Sequence, residues 1–307
     1  MKILLFGKNG QVGWELQRSL APLGELVALD RHSTELCGDL ANLAGISATV
    51  RQVRPDVIVN AAAYTAVDKA EGDAELARTV NALAPGALAE TAQGIGAWLV
   101  HYSSDYVFDG SGTSAWKETD TPAPLSVYGR SKLEGEGLVA GRCARHLVFR
   151  SSWVYAARGD NFAKTILRLA AERDRFDVVD DQVGAPTGAE LVADVTAHAL
   201  RRVLQERPAE GLRYAGLYHL AAGGEVSRHA YARFVVAQAQ RLGIPLKANV
   251  ANIAPASSAA FRALATRPCN SRLDSTKLKS AFGLNLPVWQ PGVERMLNEL
   301  LMTVPQT

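Results

Sequence analysis

The 307-residue chain sets 33 lysines and arginines against 31 acids, for a net charge of +2, and 48% of its residues are hydrophobic. That balance exerts no global pull on nucleic acid or an anionic membrane, so an acidic ligand has to be met by local groups. Cys37, Cys143 and Cys269 are far apart, odd in number and free of C-x-x-C spacing, which argues against a disulfide framework or a zinc site and fits a reducing cytoplasm. No run reaches the ~18 apolar residues of a membrane span, and no signal peptide is expected.

Lys2–Phe6 reads as a buried strand running into Gly7-Lys8-Asn9-Gly10-Gln11-Val12-Gly13, a G-x-x-G-x-x-G turn that opens a helix over 11–22. This is the layout of a dinucleotide phosphate site. Gly7 allows a tight turn and Gly10 lets backbone N–H groups approach a pyrophosphate, which then sits on the positive end of the helix. Gly13 lets that helix, with Trp14, Leu16 and Leu20, pack close to the sheet. A second strand over 25–30 ends in Asp30, where a ribose hydroxyl is expected. Arg31 and His32 either meet a 2′-phosphate or form an exposed turn, which leaves NADH and NADPH both open.

The pattern continues with helix 42–53, strand 56–60, helix 73–93, strand 97–102, helix 126–140 and strand 146–150. Such alternation predicts an α/β fold of the Rossmann type, a doubly wound parallel sheet with helices on both faces. Ligands in such sheets bind beyond the carboxyl ends of the strands, which nominates Ala62, Ala63, Tyr64 and Thr65 after one strand and Ser103, Ser104 and Asp105 after another. Beyond Arg150 the pattern predicts a helix near 160–172, a strand near 176–179, a turn at 184–186, helices near 188–205 and 227–242 and a terminal helix near 291–302. Residues 1–150 are therefore expected to form a dinucleotide-binding domain to which the chain returns near 187–220, and 151–307 mainly a smaller C-terminal substrate-binding domain.

Tyr128 and Lys132 stand one turn apart on the same face of the helix predicted at 126–140. A free phenol is a poor acid or base at neutral pH, and a nearby cation lowers its pKa; Lys132 is expected to tune Tyr128 and hold the cofactor ribose. The strand-end Ser104 hydroxyl can hydrogen-bond a substrate oxygen beside the phenol. Together these groups suit hydride transfer, with the nicotinamide reducing a carbonyl carbon and Tyr128 protonating its oxygen. Asn81 reads either as an inward polar group or as a helix-surface residue. His101 and Cys143 lack spaced partners and read as structural.

The segments GKNGQVGWELQ, CGDL, RPDVIVNAAAYTAVDKAE, HYSSDYVF, VYGRSKLEGE, FRSSWVY, NFAKT, DQVGAPTGAEL, GLYHLAAGG and RPCNSRL together span essentially the whole chain. They resemble the extended short-chain dehydrogenase/reductase family. The resemblance implies an NADPH- or NADH-dependent oxidoreductase that reduces the 4-keto group of dTDP-4-dehydro-L-rhamnose in dTDP-rhamnose synthesis. It implies further that Gly10, Gln11 and Val12 hold the pyrophosphate, Asp30 the adenosine ribose and Asp39 and Leu40 the adenine, with Ala63, Tyr64 and Thr65 in the next strand-end loop. Tyr128 would be the proton donor and Lys132 its partner. Ser104, which is often threonine in the family, and Asp105 would touch substrate, and Trp153 would pack on the sugar or its nucleotide. Read from its residue type alone, Trp153 is equally a core aromatic.

Some members of the family dimerise through magnesium held by glutamates. Glu15 and Glu190 match two such ligands and also read as solvated surface acids, whereas the third position is Gln290, a weaker ligand. Monomer and homodimer both stay open. A related dehydratase would carry Asp-Glu where this chain has Asp105-Tyr106, an epimerase would keep its cofactor tightly bound, and a regulatory subunit on the same fold would have no need of Tyr128 and Lys132.

Overall fold

The computed structural model describes residues 1–261 and 263–302. Strands β1 (Lys2–Phe6), β2 (Glu25–Leu29), β3 (Val57–Asn60), β4 (Trp98–Ser104) and β5 (His146–Ser151) are all parallel. The strand Gly216–His219 pairs with β5, so the order across the sheet is β2, β1, β3, β4, β5, 216–219. The aliphatic runs of the sequence become these strands because both faces are covered. Ile3 and Leu5 point into a core shared with Leu16 and Val192, whereas Leu4 and Phe6 point into a second core with Ile46 and Leu88. The helices behind these contacts are α1 (Gln11–Leu20) and Ala189–Gln205 on one face and α2 (Leu43–Val53) and α5 (Ala84–Ile95) on the other. Between α2 and α5 lie the short helices α3 (Val67–Ala70) and α4 (Ala74–Arg78). The architecture is thus the expected doubly wound parallel sheet, and its direction of winding reverses between β1 and β3, where a crevice opens.

The single helix predicted over 73–93 is broken in the structure. A π-turn, Thr79–Leu83, separates α4 from α5. Pro85 has no N–H to give to the Asn81 carbonyl four residues back, so the regular ladder cannot continue there. The freed Asn81 carbonyl lies against helix α6 (Val127–Arg142), so close that a Cβ on Gly135 would be 2.1 Å from its oxygen.

Past β5, the helices Phe162–Glu172, Arg228–Arg241 and Trp289–Met302 pack with the parallel pair 176–179 and 253–256 around a third core that includes Phe176, Tyr231 and Trp289. No helix among the described residues is long and apolar enough to cross a membrane. The contact under α6 yields a direct test. Gly135→Ala should destabilise the fold by about 1–3 kcal/mol by overpacking, seen as a lower urea midpoint at unchanged slope, and an unchanged midpoint would show that α6 is not fixed there.

Candidate active site

The glycine turn caps β1 at the crevice. Gly7 has φ +88, and a Cβ there would be 2.6 Å from the Ala62 nitrogen, so the loops after β1 and β3 touch backbone to backbone. A Cβ on Gly13 would be 2.0 Å from the Gly7 carbonyl oxygen, which brings α1 down onto the turn. Gly10 is the N-cap of α1, and its own Cβ direction is free of close contacts. The first N–H groups of a helix have no intrahelical partner, so Gln11, Val12 and Gly13 head an open backbone cradle for an anion.

Asp30, at the end of β2, accepts the Asn9 side-chain amide and the His32 N–H at 2.8 Å, and lies 4.0 Å from the Lys8 ammonium. The His32 N–H, then Lys8, hold its carboxyl below the usual range. Arg31 is exposed and donates to the neighbouring His32 ring at 3.0 Å. The segment after it returns to the sheet with Gly38 against the Asp30 carbonyl, Leu40 buried and Asp39 capping the next turn through Ala41 N–H. Beyond β3, Ala62 N–H bonds the Asn60 side chain at 3.2 Å and Tyr64 N–H bonds the Asn81 side chain at 2.8 Å, while Thr65 is exposed. Asn81 is fully buried, and its amide also donates to the Tyr64 carbonyl and to Ser131 of α6, each at 3.0 Å. It is an inward group that ties the β3 loop to α6.

Tyr128 and Lys132 reach the carboxyl end of β4 from the first turns of α6, which is capped by the Ser126 hydroxyl. Ser104 closes β4, and its hydroxyl donates to Asp105 at 3.0 Å, accepts Tyr106 N–H at 3.2 Å and faces the Tyr128 phenol. Tyr106 packs edge-on against the Tyr128 ring at 5.5 Å. The expected lowering of the phenol by Lys132 is not found. Burial moves the Tyr128 pKa up, against the pull of Ser104, and the Lys132 ammonium points down to donate to the Tyr102 carbonyl at 2.5 Å. The same burial brings Lys132 down to about 8, opposed by Glu136, and lifts the Asp105 carboxyl to about 6. Ser103, Ser151 and Ser152, at the ends of β4 and β5, bury hydroxyls that have no partner among the described residues, an arrangement usual where a ligand completes the bonding.

Trp153 follows β5 with φ +48, and the Arg228 guanidinium lies 3.7 Å over its ring. Its ring also stacks with that of Tyr231, 6.5 Å away between centroids. Two contacts invisible in the sequence bind the loop 156–161 to the glycine turn: Arg158 donates to the Asn9 carbonyl at 3.2 Å and Asn161 to the Gln11 side chain at 3.1 Å.

Glu15 and Glu190 lie on adjacent helices, where burial lifts the Glu190 carboxyl and Glu15 adds repulsion. Each already faces an arginine, Arg18 at 3.4 Å and Arg295 at 3.8 Å. Among the described residues no group of three or more His, Cys, Asp or Glu side chains is placed to hold a metal ion. His101 is buried and held neutral, its pKa well below the usual value through burial and then Lys132, and Cys143 is a buried free thiol.

The RmlD substrate binding domain family matches residues 1–302. The curated dTDP-4-dehydrorhamnose reductase of Shigella flexneri is 57% identical over 303 residues, 99% of each chain. Among solved structures, dTDP-4-dehydrorhamnose reductase from Bacillus anthracis str. Ames in complex with NADP superposes with a TM-score of 0.83 at 33% identity, over 97% of this chain and 99% of that one. The Clostridium acetobutylicum ATCC 824 protein does so with a TM-score of 0.85 at 31% identity, over 98% of this chain and 99% of that one.

Beneath the site, Glu136 of α6 takes two bonds from Arg150, at 2.6 and 2.8 Å, with both side chains buried. Glu136→Ala should cost about 3–5 kcal/mol by stranding the arginine. Chemical denaturation checks this, and a loss typical of an exposed ion pair would contradict it.

Proposed function

This chain belongs to the dTDP-4-dehydrorhamnose reductase family, and on that footing we propose that it reduces the 4-keto group of dTDP-4-dehydro-L-rhamnose to give dTDP-L-rhamnose, with NADPH or NADH as reductant. The observation that carries this reading is a half-buried phenol, Tyr128, facing the strand-end Ser104 and one turn from a buried amine, Lys132, beyond a glycine turn with no room for a Cβ at Gly7 or Gly13.

Gly7, Gly10, Gln11, Val12 and Gly13 hold the pyrophosphate, and Asp30, Arg31, Asp39 and Leu40 the adenosine end. Ala62, Ala63, Tyr64 and Thr65 form the wall after β3. Bound there, the nicotinamide supplies hydride to the carbonyl carbon. Tyr128 is the proton donor: burial keeps the phenol protonated, so it has a proton to give as negative charge grows on the substrate oxygen. Ser104 orients the phenol, Lys132 holds the ribose and steadies the phenolate left behind, and Asp105 and Trp153 contact the sugar. No step uses magnesium.

Residues 1–150, with the 187–220 return to the sheet, form the dinucleotide-binding domain, and residues 151–307 mainly bind the sugar nucleotide. The protein acts in the cytoplasm on a small molecule, without nucleic acid or membrane, as a monomer or homodimer.

Tyr128→Phe should lower turnover by about 10²–10⁴-fold, the usual worth of a general acid, with NADPH affinity little changed; normal turnover would remove Tyr128 from the mechanism. Lys132 is charged below pH about 8 and loses its proton as pH rises through that value. NADPH binding to the free protein should therefore be level below pH 8 and weaken above it, and Lys132→Met should abolish that dependence. A dissociation constant flat across this range in the native protein would contradict the ribose role.

A further inference from the structure

The stretch 153–161 runs from the place assigned to the sugar to the turn assigned to the coenzyme. It leaves Trp153 as the short strand Val154–Tyr155, paired in parallel with Thr187–Gly188. Its far end meets the first turn of α1 at three points: Arg158 Nε donates to the Asn9 carbonyl at 3.2 Å, the Arg158 guanidinium lies 4.1 Å over the Trp14 ring, and Asn161 donates to the Gln11 side chain at 3.1 Å. Asn9 and Gln11 flank Gly10, the N-cap of the helix. Asn9 in turn donates to the Asp30 carboxylate, so the residue that Arg158 holds is the one that braces the acid at the ribose.

The stretch is internally stiff. The Lys164 ammonium ties the Ala157 and Gly159 carbonyls at 3.0 and 2.7 Å, while Asn161 donates to the Ala156 carbonyl at 2.7 Å and accepts Lys164 N–H at 3.2 Å, capping the helix that follows. Gly159, at φ +74, lies so near the turn that a Cβ would be 3.1 Å from the Gln11 side chain. The grip on the turn is slight by comparison. Arg158, Gly159 and Asp160 are exposed, and exposed polar contacts contribute little net stability and weaken steeply with a small shift in geometry. A stiff segment with a weak, geometry-dependent attachment at one end lets a ligand at the other end strengthen or release that attachment.

We propose that Arg158, with Asn161 beside it, is a positioning residue that sets the Asn9–Gln11 turn for the coenzyme and makes binding of the coenzyme and of the sugar nucleotide mutually reinforcing. It acts through the turn and not on the reacting atoms. A sugar nucleotide seated against Trp153 holds the stretch where it grips the turn, and a coenzyme that orders the turn offers the stretch its attachment; linkage makes the two effects equal. The proposal rests on the reading of the chain as a nicotinamide-dependent nucleotide-sugar reductase.

Calorimetric titration of the full chain with NADPH, alone and with saturating dTDP-L-rhamnose, tests it in the native protein, Arg158→Gln and Arg158→Lys. Both molecules are already reduced, so no turnover intervenes. In the native protein the sugar nucleotide should tighten NADPH binding by about fivefold or more, the lower end of typical coupling. In Arg158→Gln that factor should fall towards one while dTDP-L-rhamnose alone binds with native affinity, and Arg158→Lys, which keeps a cationic donor, should restore part of it. A native factor of one would overturn the proposal and leave the reductase reading intact. An undiminished factor in Arg158→Gln would also sink it, because the coupling would then come from direct contact between the two ligands. Weaker binding of dTDP-L-rhamnose alone to Arg158→Gln would replace it with a general packing role. Failure of the native protein to bind either molecule would overturn the reductase reading, and the proposal with it.

Discussion

The docking of α6 on the end of β4 sets the geometry of everything chemical in this molecule. The helix buries few apolar side chains: its buried residues are Gly129, Ser131, Lys132, Gly135, Glu136 and Val139. It is held instead by close backbone approach, with Cβ positions at Gly129 and Gly135 that would fall 2.2 and 2.1 Å from the carbonyl oxygens of Tyr106 and Asn81. The bidentate Glu136–Arg150 pair below adds a polar anchor that tolerates only one register. Such contacts contribute modest net stability but fix position sharply, because each is lost by a small displacement. Tyr128 and Lys132 inherit that precision.

Burial then decides the protonation of the site. It moves the Tyr128 phenol up, the Lys132 amine down to about 8 and the Asp105 carboxyl up to about 6. In each case the charged form is penalised by removal from water. The outcome at neutral pH is a protonated phenol beside an ammonium that can still lose its proton within reach of physiological conditions. That pairing suits a donor that releases a proton only when a substrate oxygen becomes basic.

Much of this was legible in the sequence because it follows from local pattern. Aliphatic runs such as Val57–Val59 can only be central strands, a glycine turn between strand and helix has one common use, and Tyr128 and Lys132 share a face by helical geometry alone. What was not legible depends on partners distant in the chain. The π-turn at Thr79–Leu83 follows locally from Pro85, yet its use, to press Asn81 against Gly135 and Ser131, appears only when α6 is in place. The sense of the Tyr128 shift was misjudged because spacing gives proximity along a helix and says nothing of desolvation or of the Tyr102 carbonyl that claims Lys132. Arg228 and Arg158 sit in ordinary polar stretches, and only the fold brings one to Trp153 and the other to the glycine turn.

The central claim is that this constellation carries out hydride reduction of a nucleotide-linked 4-keto sugar. The most direct measurement supplies the native protein with dTDP-4-dehydro-L-rhamnose and NADPH, then NADH, and follows nicotinamide oxidation together with the mass of the sugar nucleotide. The account predicts oxidation matched mole for mole by a product heavier by two hydrogens. Nicotinamide bound but left unoxidised, with the sugar nucleotide unchanged, would contradict it.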